Sequence, residues 1–244
     1  MIYSMSNEEI YSSGKIKEEY SKFLKGKRVV VVGPSRSIKG SGQGKKIDSY
    51  DVVVRINLGL DIQENLKKDV GSRIDILYSA MSRYYWETNV FSPKNLSKIE
   101  KKYDIKWIVN TGIRRATVLR MAEDKAKSKV KIGLKLVSKK NIKYLKNKLK
   151  GKPTAGIISI YDLLQYEISE LYITGLTFYN IMSPKSQRKD YYYEDYSPRY
   201  KETVGNVYKH DLKGEARLLY KIKRKDERIK VDEVLSNIIE KFNK

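Results

Sequence analysis

The chain has 244 residues, 40% of them hydrophobic, which is enough to bury the core of a single domain over residues 1–244. It contains no cysteine, which excludes disulfides, thiol nucleophiles and cysteine-bound zinc and favours a reducing compartment. Its net charge of +22 has three interpretations: a nucleic-acid partner, an anionic membrane partner, or a lysine-rich coat without a specific partner.

The amino-terminal part predicts neither a membrane span nor a secretory leader. No apolar run reaches the roughly 18 residues that a span needs. Residues 1–13 are polar and lack a hydrophobic signal core, so we expect a cytoplasmic protein, peripheral at the inner membrane face. Ile16, Tyr20 and Leu24 then recur at helical spacing and predict an amphipathic helix over residues 15–25.

Residues 28–59 are the most informative stretch. Valines at 29–32 predict a strand that is buried on both faces and ends at a Gly-Pro-Ser turn, residues 33–35. A glycine cluster follows at 40–44, and a second apolar run, 51–57, ends in polar side chains. Glycine lets backbone N–H groups approach an anion, and ligands of open α/β sheets bind at the carboxyl ends of strands. The stretch therefore predicts a nucleotide site.

Strands and helices are predicted to alternate along the rest of the chain. Apolar runs favour strands at residues 74–78, 105–109, 132–136 and 171–175, with helices between them. This alternation predicts an α/β fold with a mostly parallel sheet flanked by helices. The carboxyl-terminal residues, 216–244, are predicted to form a basic helical tail.

Residues 135–152 contain eight lysines and no acidic residue. Ile142, Leu145 and Leu149 mark the apolar face of a helix whose lysines gather on another face. The lysine face is either simply solvated or a strip that binds phosphates or anionic lipid headgroups.

A second site element begins at Pro153, which ends the preceding segment. Thr154 can cap the helix that follows, and the residues after it are small. The free N–H groups of such a helix start suit a carboxylate or a phosphate.

These elements resemble, in order, the sialylmotifs of glycosyltransferase family 29, the sialyltransferase family. Residues 29–57 resemble the large motif and residues 153–175 the small motif, while 69–73 match a D-V-G-x-[KR] element. His210 and Glu215 match the last short motif, His-x4-Glu. The resemblance covers about residues 27–220 and implies a single Rossmann-like catalytic core of the GT-A type.

The resemblance also implies the binding residues. Those assigned to the nucleotide are Gly33, Pro34, Ser35, Gly42 and Asn57. Those assigned to the carboxylate of the transferred sugar are Thr154, Ala155 and Gly156. Pro34 stands where the family usually has asparagine, and Ala155 replaces a hydroxyl residue.

The chemistry is assigned to three residues. His210, the only histidine, would act as the general base that deprotonates the acceptor hydroxyl, since an imidazole titrates near neutral pH. Tyr191 stands where the family has a histidine that assists the departing phosphate. Glu215 would orient the helix or the site, or only stabilise a helix start. No D-x-D motif occurs, so we predict no metal and no cofactor besides the donor substrate.

We therefore predict an inverting, metal-independent glycosyltransferase that uses a CMP-sugar donor and a glycan or glycolipid acceptor. Sialic acid is the first choice of donor sugar and Kdo the second. A basic nucleic-acid-binding protein is the rival from another class. A family member that binds CMP with weak turnover is the other alternative, because Pro34, Ala155 and Tyr191 depart from the motifs.

Overall fold

The structure is a computed structural model, and it describes residues 14–60, 62, 64–80, 93–112, 123, 125–182 and 209–243. Within these ranges, seven parallel strands form one sheet in the order β5-β4-β3-β2-β1-β6-β7. The strands are β1 (Arg28–Val32), β2 (Val52–Ile56), β3 (Ile76–Ser79), β4 (Trp107–Asn110), β5 (Gly133–Leu136), β6 (Glu170–Thr174) and β7 (Ile229–Val231).

Helices lie on both faces of this sheet. They are α1 (Gly14–Leu24), α2 (Gly44–Asp48), α3 (Lys67–Val70), α4 (Pro93–Tyr103), α5 (Lys139–Lys148), α6 (Ala155–Leu163), α7 (Leu212–Lys223) and α8 (Glu233–Lys241). The predicted α/β class with a parallel sheet is confirmed. None of the helices in the described ranges is long and apolar enough to cross a membrane.

The valine run of β1 supplies both hydrophobic cores. Val29 and Val31 pack on one face with residues of α1 and α5–α8, while Val30 and Val32 pack on the other with residues of α2–α4. Successive side chains of a strand point to opposite faces. A strand covered by helices on both sides therefore needs an apolar residue at every position, as β1 has.

The strand order reverses beside β1. From β1 the chain proceeds through β2 to β5 along one half of the sheet, and then returns to place β6 on the other side of β1. Such a reversal opens a crevice at the carboxyl ends of the two diverging strands, which is where doubly wound sheets bind ligands. The turns after β1 and β6 both lie at this point.

The predicted helical tail over residues 216–244 is wrong in one respect. Residues 229–231 form β7, which pairs with β6 and extends the sheet. A strand of three residues is too short to show a period of two, so the sequence pattern could not distinguish it from the helices α7 and α8 around it.

A buried ion pair holds α6 against the sheet. Lys135 on β5 and Asp162 on α6 are 5% and 1% exposed, and their Nζ and Oδ2 atoms lie 2.7 Å apart. Asp162 also accepts hydrogen bonds from the Tyr78 hydroxyl and the Asn141 side chain. Lys135 is therefore a core residue, unlike the exposed lysines that follow it in the sequence.

Candidate active site

The turns that follow β1 and β6 touch backbone to backbone. The Gly33 N–H donates to the Thr174 carbonyl at 2.8 Å, and the Ser35 N–H donates to the Gly175 carbonyl at 2.9 Å. A Cβ atom on Gly33 would lie 2.2 Å from the Gly175 carbonyl oxygen, and Gly175 has a φ of +64°. Both positions thus require glycine, one for space and the other for its backbone conformation.

Replacing Gly33 with alanine is expected to destabilise the fold by about 2 kcal/mol or more, since the methyl group would meet rigid backbone. Chemical denaturation would measure the change. Gly14→Ala is the matched control, because a Cβ there meets no atom within 4 Å and alanine favours a helix. Equal effects of the two substitutions would contradict the close approach at Gly33.

A cleft of about 450 Å³, which includes space open to solvent, lies at this crevice and is within the usual size range of small-molecule sites. It is lined by Pro34, Ser35, Ile56, Asn57, Thr154, Ala155, Gly156, Gly175, Leu176, Thr177, Phe178 and Tyr179. Six of the predicted binding residues are thus brought together, although they come from three distant parts of the sequence. Gly33 supports the cleft through the backbone contact with Gly175.

The glycine cluster of residues 40–44 has another role than the one predicted for Gly42. The N–H groups of Gly40 and Gly42 each donate to the Asp69 carboxylate at 2.9 Å. Burial by itself would raise the pKa of Asp69, but these two N–H groups and the charge of Lys68 together outweigh it, and the pKa is lowered. The Gly42 N–H therefore binds a carboxylate of the protein itself, and Gly42 does not line the cleft.

Two further motif segments also serve as scaffold. The Asp48 carboxylate accepts hydrogen bonds from the backbone N–H groups of Ser72 and Arg73. Arg55, which is fully buried, donates to the carbonyls of Val70 and Arg73. These contacts fix the turn before β3 against β2. Asn57, at the end of β2, accepts from the Ala80 N–H while it lines the cleft.

Thr154 begins α6 and is held by Glu215. The Thr154 hydroxyl oxygen accepts from the Ile157 N–H, which caps the helix. The Thr154 N–H and hydroxyl both contact the Glu215 carboxyl group at 2.7 Å. Burial raises the pKa of Glu215 to about 8, against the opposing effect of the bonds from Thr154. Glu215 is fully buried behind Thr154 and does not line the cleft, so it acts through Thr154.

His210 lies beside the cleft and is partly buried. Its Nδ1 atom forms a hydrogen bond with the Lys152 carbonyl oxygen. Because a carbonyl only accepts, Nδ1 carries the proton and Nε2 keeps its lone pair. Burial lowers the pKa of His210; the hydrogen bond to Lys152 opposes this effect and the charge of Lys152 adds to it. The imidazole is therefore neutral at pH 7, as a general base must be.

Tyr179 connects His210 to the cleft. Its ring lines the cleft and is nearly parallel to the imidazole, with 6.0 Å between the ring centroids. Sequence analysis missed Tyr179 and its neighbours. Phe178, Tyr179 and Asn180 have φ values of +50°, +57° and +52°, a left-handed turn that non-glycine residues rarely adopt. The position after a predicted strand was the only signal in the sequence.

Asp232 is a second residue that the sequence analysis missed. Its Oδ2 atom accepts from the Thr174 hydroxyl at 2.8 Å and from the Gly175 N–H at 2.9 Å, and Oδ1 caps α8. Asp232 therefore fixes the turn that forms one wall of the cleft. It lies outside the predicted core of residues 27–220, and its only signal was an aspartate before a helix.

Tyr191, the third predicted catalytic residue, lies outside the described residues. Among the residues that are described, no group of three or more His, Asp or Glu side chains could hold a metal ion. Metal independence stays a prediction.

The comparisons with solved structures show the fold. A mammalian sialyltransferase in complex with Gal-beta-1-3GalNAc-ortho-nitrophenol matches 93% of this chain and 76% of its own, with a TM-score of 0.57 and 16% identity. A second similar structure is the sialyltransferase CstII from Campylobacter jejuni, in complex with the substrate analogue cytidine-5'-monophosphate. The match covers 88% of this chain and 84% of CstII, with a TM-score of 0.56 and 15% identity. The predicted Rossmann-like GT-A type architecture is thereby confirmed.

No curated protein sequence matches this chain significantly. The model of glycosyltransferase family 29 (sialyltransferase), however, matches residues 7–227, which is most of the chain and includes every motif discussed above. The chain is therefore a glycosyltransferase that belongs to family 29, the sialyltransferase family.

Proposed function

We propose that the protein is an inverting, metal-independent glycosyltransferase that moves a nonulosonate-type sugar from a CMP-sugar to a glycan hydroxyl. The observation that carries this proposal is the cleft at the strand-order reversal, next to a neutral histidine whose Nε2 atom keeps its lone pair. Two structural neighbours support it, since one protein is in complex with a cytidine nucleotide and the other with a disaccharide glycoside. Sialic acid is the first donor sugar to test and Kdo the second.

The donor would occupy the cleft between the turns. Ser35 and Asn57 offer a hydroxyl and an amide to the nucleotide. The start of α6, residues 154–156, offers the Thr154 hydroxyl and backbone N–H groups to the sugar carboxylate, where the helix dipole favours an anion. Among the described residues that line the cleft, none carries a charged side chain. The groups that these residues offer to the donor's negative charges are therefore neutral hydrogen-bond donors.

His210 would act on the acceptor. Its Nε2 atom takes the proton of the acceptor hydroxyl while the oxygen attacks the anomeric carbon. The bond from that carbon to the phosphate oxygen breaks, and CMP leaves with the electron pair. Attack on the face opposite to the leaving group inverts the anomeric configuration.

CMP is expected to stabilise the protein, while UDP, GDP and NAD are not, and magnesium should make no difference. A ligand that binds only the folded state adds about 2.7 kcal/mol at a hundredfold excess over its Kd, so a thermal-shift titration would detect it. A response to CMP justifies comparing CMP-sialic acid and CMP-Kdo as donors. Equal shifts with every polyanion, abolished by salt, would contradict the proposal and favour nucleic-acid binding.

A further inference from the structure

Three exposed lysines lie in the two chain segments that meet at His210. The Lys152 N–H donates to the Lys209 carbonyl at 2.8 Å, and the Lys150 N–H donates to the Asp211 carboxylate at 3.0 Å. Residues 150–152 and 209–211 therefore lie side by side. The His210 imidazole adds to this contact, because its Nδ1 atom is hydrogen-bonded to the Lys152 carbonyl oxygen. The side chains of Lys150, Lys152 and Lys209 are all exposed. We refer to these three lysines as the basic rim.

Asp211 and Glu215, the acidic residues of the described chain that follow His210 most closely, already accept hydrogen bonds from other groups. The two oxygens of Asp211 accept from the Lys150 N–H and from the Gly214 N–H, the latter as the cap of α7. Glu215 is fully buried against Thr154, and burial raises its pKa to about 8. Within the described ranges, this edge of the site therefore presents positive charge to solvent.

The basic rim is separate from the donor cleft. None of its lysines lines the cleft, whose described walls carry no charged side chain. Tyr179 lies between them, since its ring faces the imidazole and also lines the cleft. A molecule that contacts the basic rim would therefore lie next to His210 but outside the donor cleft, where the acceptor of the proposed reaction would bind.

We propose that the acceptor glycan carries an anionic group, a phosphate or a carboxylate, close to the hydroxyl that is attacked, and that the basic rim binds it. This inference rests on the proposed function and specifies its acceptor class. An anion bound here would also offset the charge of Lys152, which lowers the pKa of His210 in the free protein. Binding of the correct acceptor would in this way strengthen the base that activates it.

The test uses His210 as a reporter, because the only imidazole of the chain gives a single set of proton NMR signals. With CMP at saturation, glucose 6-phosphate is expected to shift these signals saturably and raise the pKa of His210, whereas glucose does not. The triple substitution of Lys150, Lys152 and Lys209 by glutamine should abolish the response. The matched control replaces Lys27, Lys101 and Lys131, which are also exposed and shortly precede β1, β4 and β5 in the chain, at the opposite edge of the sheet.

Kinetics provide the second readout. Transfer to lactose 6'-phosphate is expected to show a KM about tenfold below that for lactose at low salt, and the triple rim variant should lose this preference while the control keeps it. The preference should also shrink at high ionic strength, because the charges are exposed. If the rim substitutions raise the KM of the donor instead, the lysines serve the donor and the inference is wrong.

The remaining outcomes separate this inference from the proposed function. If CMP binds but glucose 6-phosphate leaves His210 unchanged, the acceptor inference fails and the proposed function stands. If vesicles of phosphatidylglycerol shift the signals and the sugar phosphate does not, the rim binds a membrane and the inference also fails. If CMP does not bind, the proposed function fails and the acceptor role falls with it.

Discussion

The His210→Ala protein is expected to transfer sugar about 10²- to 10⁴-fold more slowly than the wild type, which is the usual effect of removing a general base. Its affinity for CMP should stay nearly unchanged, because His210 does not line the nucleotide cleft. Single-turnover transfer assays and CMP titrations would measure the two quantities separately. A proportional loss of both would contradict the assignment of His210 as the base.

The pH dependence provides an independent check of the same residue. The base must be neutral, and burial lowers the pKa of His210 below its ordinary value of 6.5. Transfer should therefore fall at low pH, as the imidazole becomes protonated, with a midpoint below pH 6.5. The His210→Ala protein should not show this fall in transfer at low pH. Lys101→Ala, an exposed substitution on α4, is the control and should retain both the rate and its fall at low pH.

The second large effect is expected at Glu215. In Glu215→Ala the Thr154 N–H and hydroxyl lose their buried partner and a cavity forms, so the free energy of unfolding should fall by about 3 kcal/mol or more. Glu215→Gln keeps the volume, accepts from the Thr154 N–H and donates to its hydroxyl oxygen. It should therefore remain close to the wild type at pH 7. Urea denaturation of the three proteins would measure the differences.

Glu215 should also make stability depend on pH. The folded protein retains this proton up to about pH 8, whereas an unfolded glutamate releases it near 4.5. Between these values the unfolded state binds fewer protons, so this carboxyl group lowers the free energy of unfolding as pH rises, until the slope ends above pH 8. The free energy of unfolding of Glu215→Gln should not contain this pH-dependent contribution. An identical slope in the wild type and the glutamine variant would show that Glu215 is ionised in the folded protein at neutral pH.

Donor binding should also depend on whether Glu215 is protonated. The Thr154 hydroxyl oxygen and Glu215 Oε2 lie 2.7 Å apart. A protonated Glu215 can donate to the Thr154 oxygen across this distance, which would leave the Thr154 hydroxyl hydrogen available to a ligand in the cleft. Ionised Glu215 accepts that hydrogen instead. Donor affinity of the wild type is therefore expected to decline above pH 8, while that of Glu215→Gln does not.

Local patterns were sufficient for the elements of this fold and for much of the site. The valines of β1 predicted a strand buried on both faces, and Thr154 followed by small residues predicted a helix start. Parallel strands place their carboxyl ends at one edge of a sheet, which predicted Ser35 and Asn57 near each other, and the family resemblance added Thr154 to the same site. All three residues line the cleft. Family membership, carried by the spacing of these motifs, is likewise determined by the sequence.

Tertiary structure alone decided which partner each polar group has. The Gly42 N–H suits any anion, but the fold brings Asp69 to it. Asp232 reaches the Gly175 turn only because β7 joins the sheet beside β6, and Lys135 is buried only because Asp162 meets it. The left-handed turn at Phe178–Asn180 runs against the preferences of its residues. Local sequence encodes propensity and periodicity, whereas the partner of a hydrogen bond depends on segments far apart in the chain that packing alone brings together.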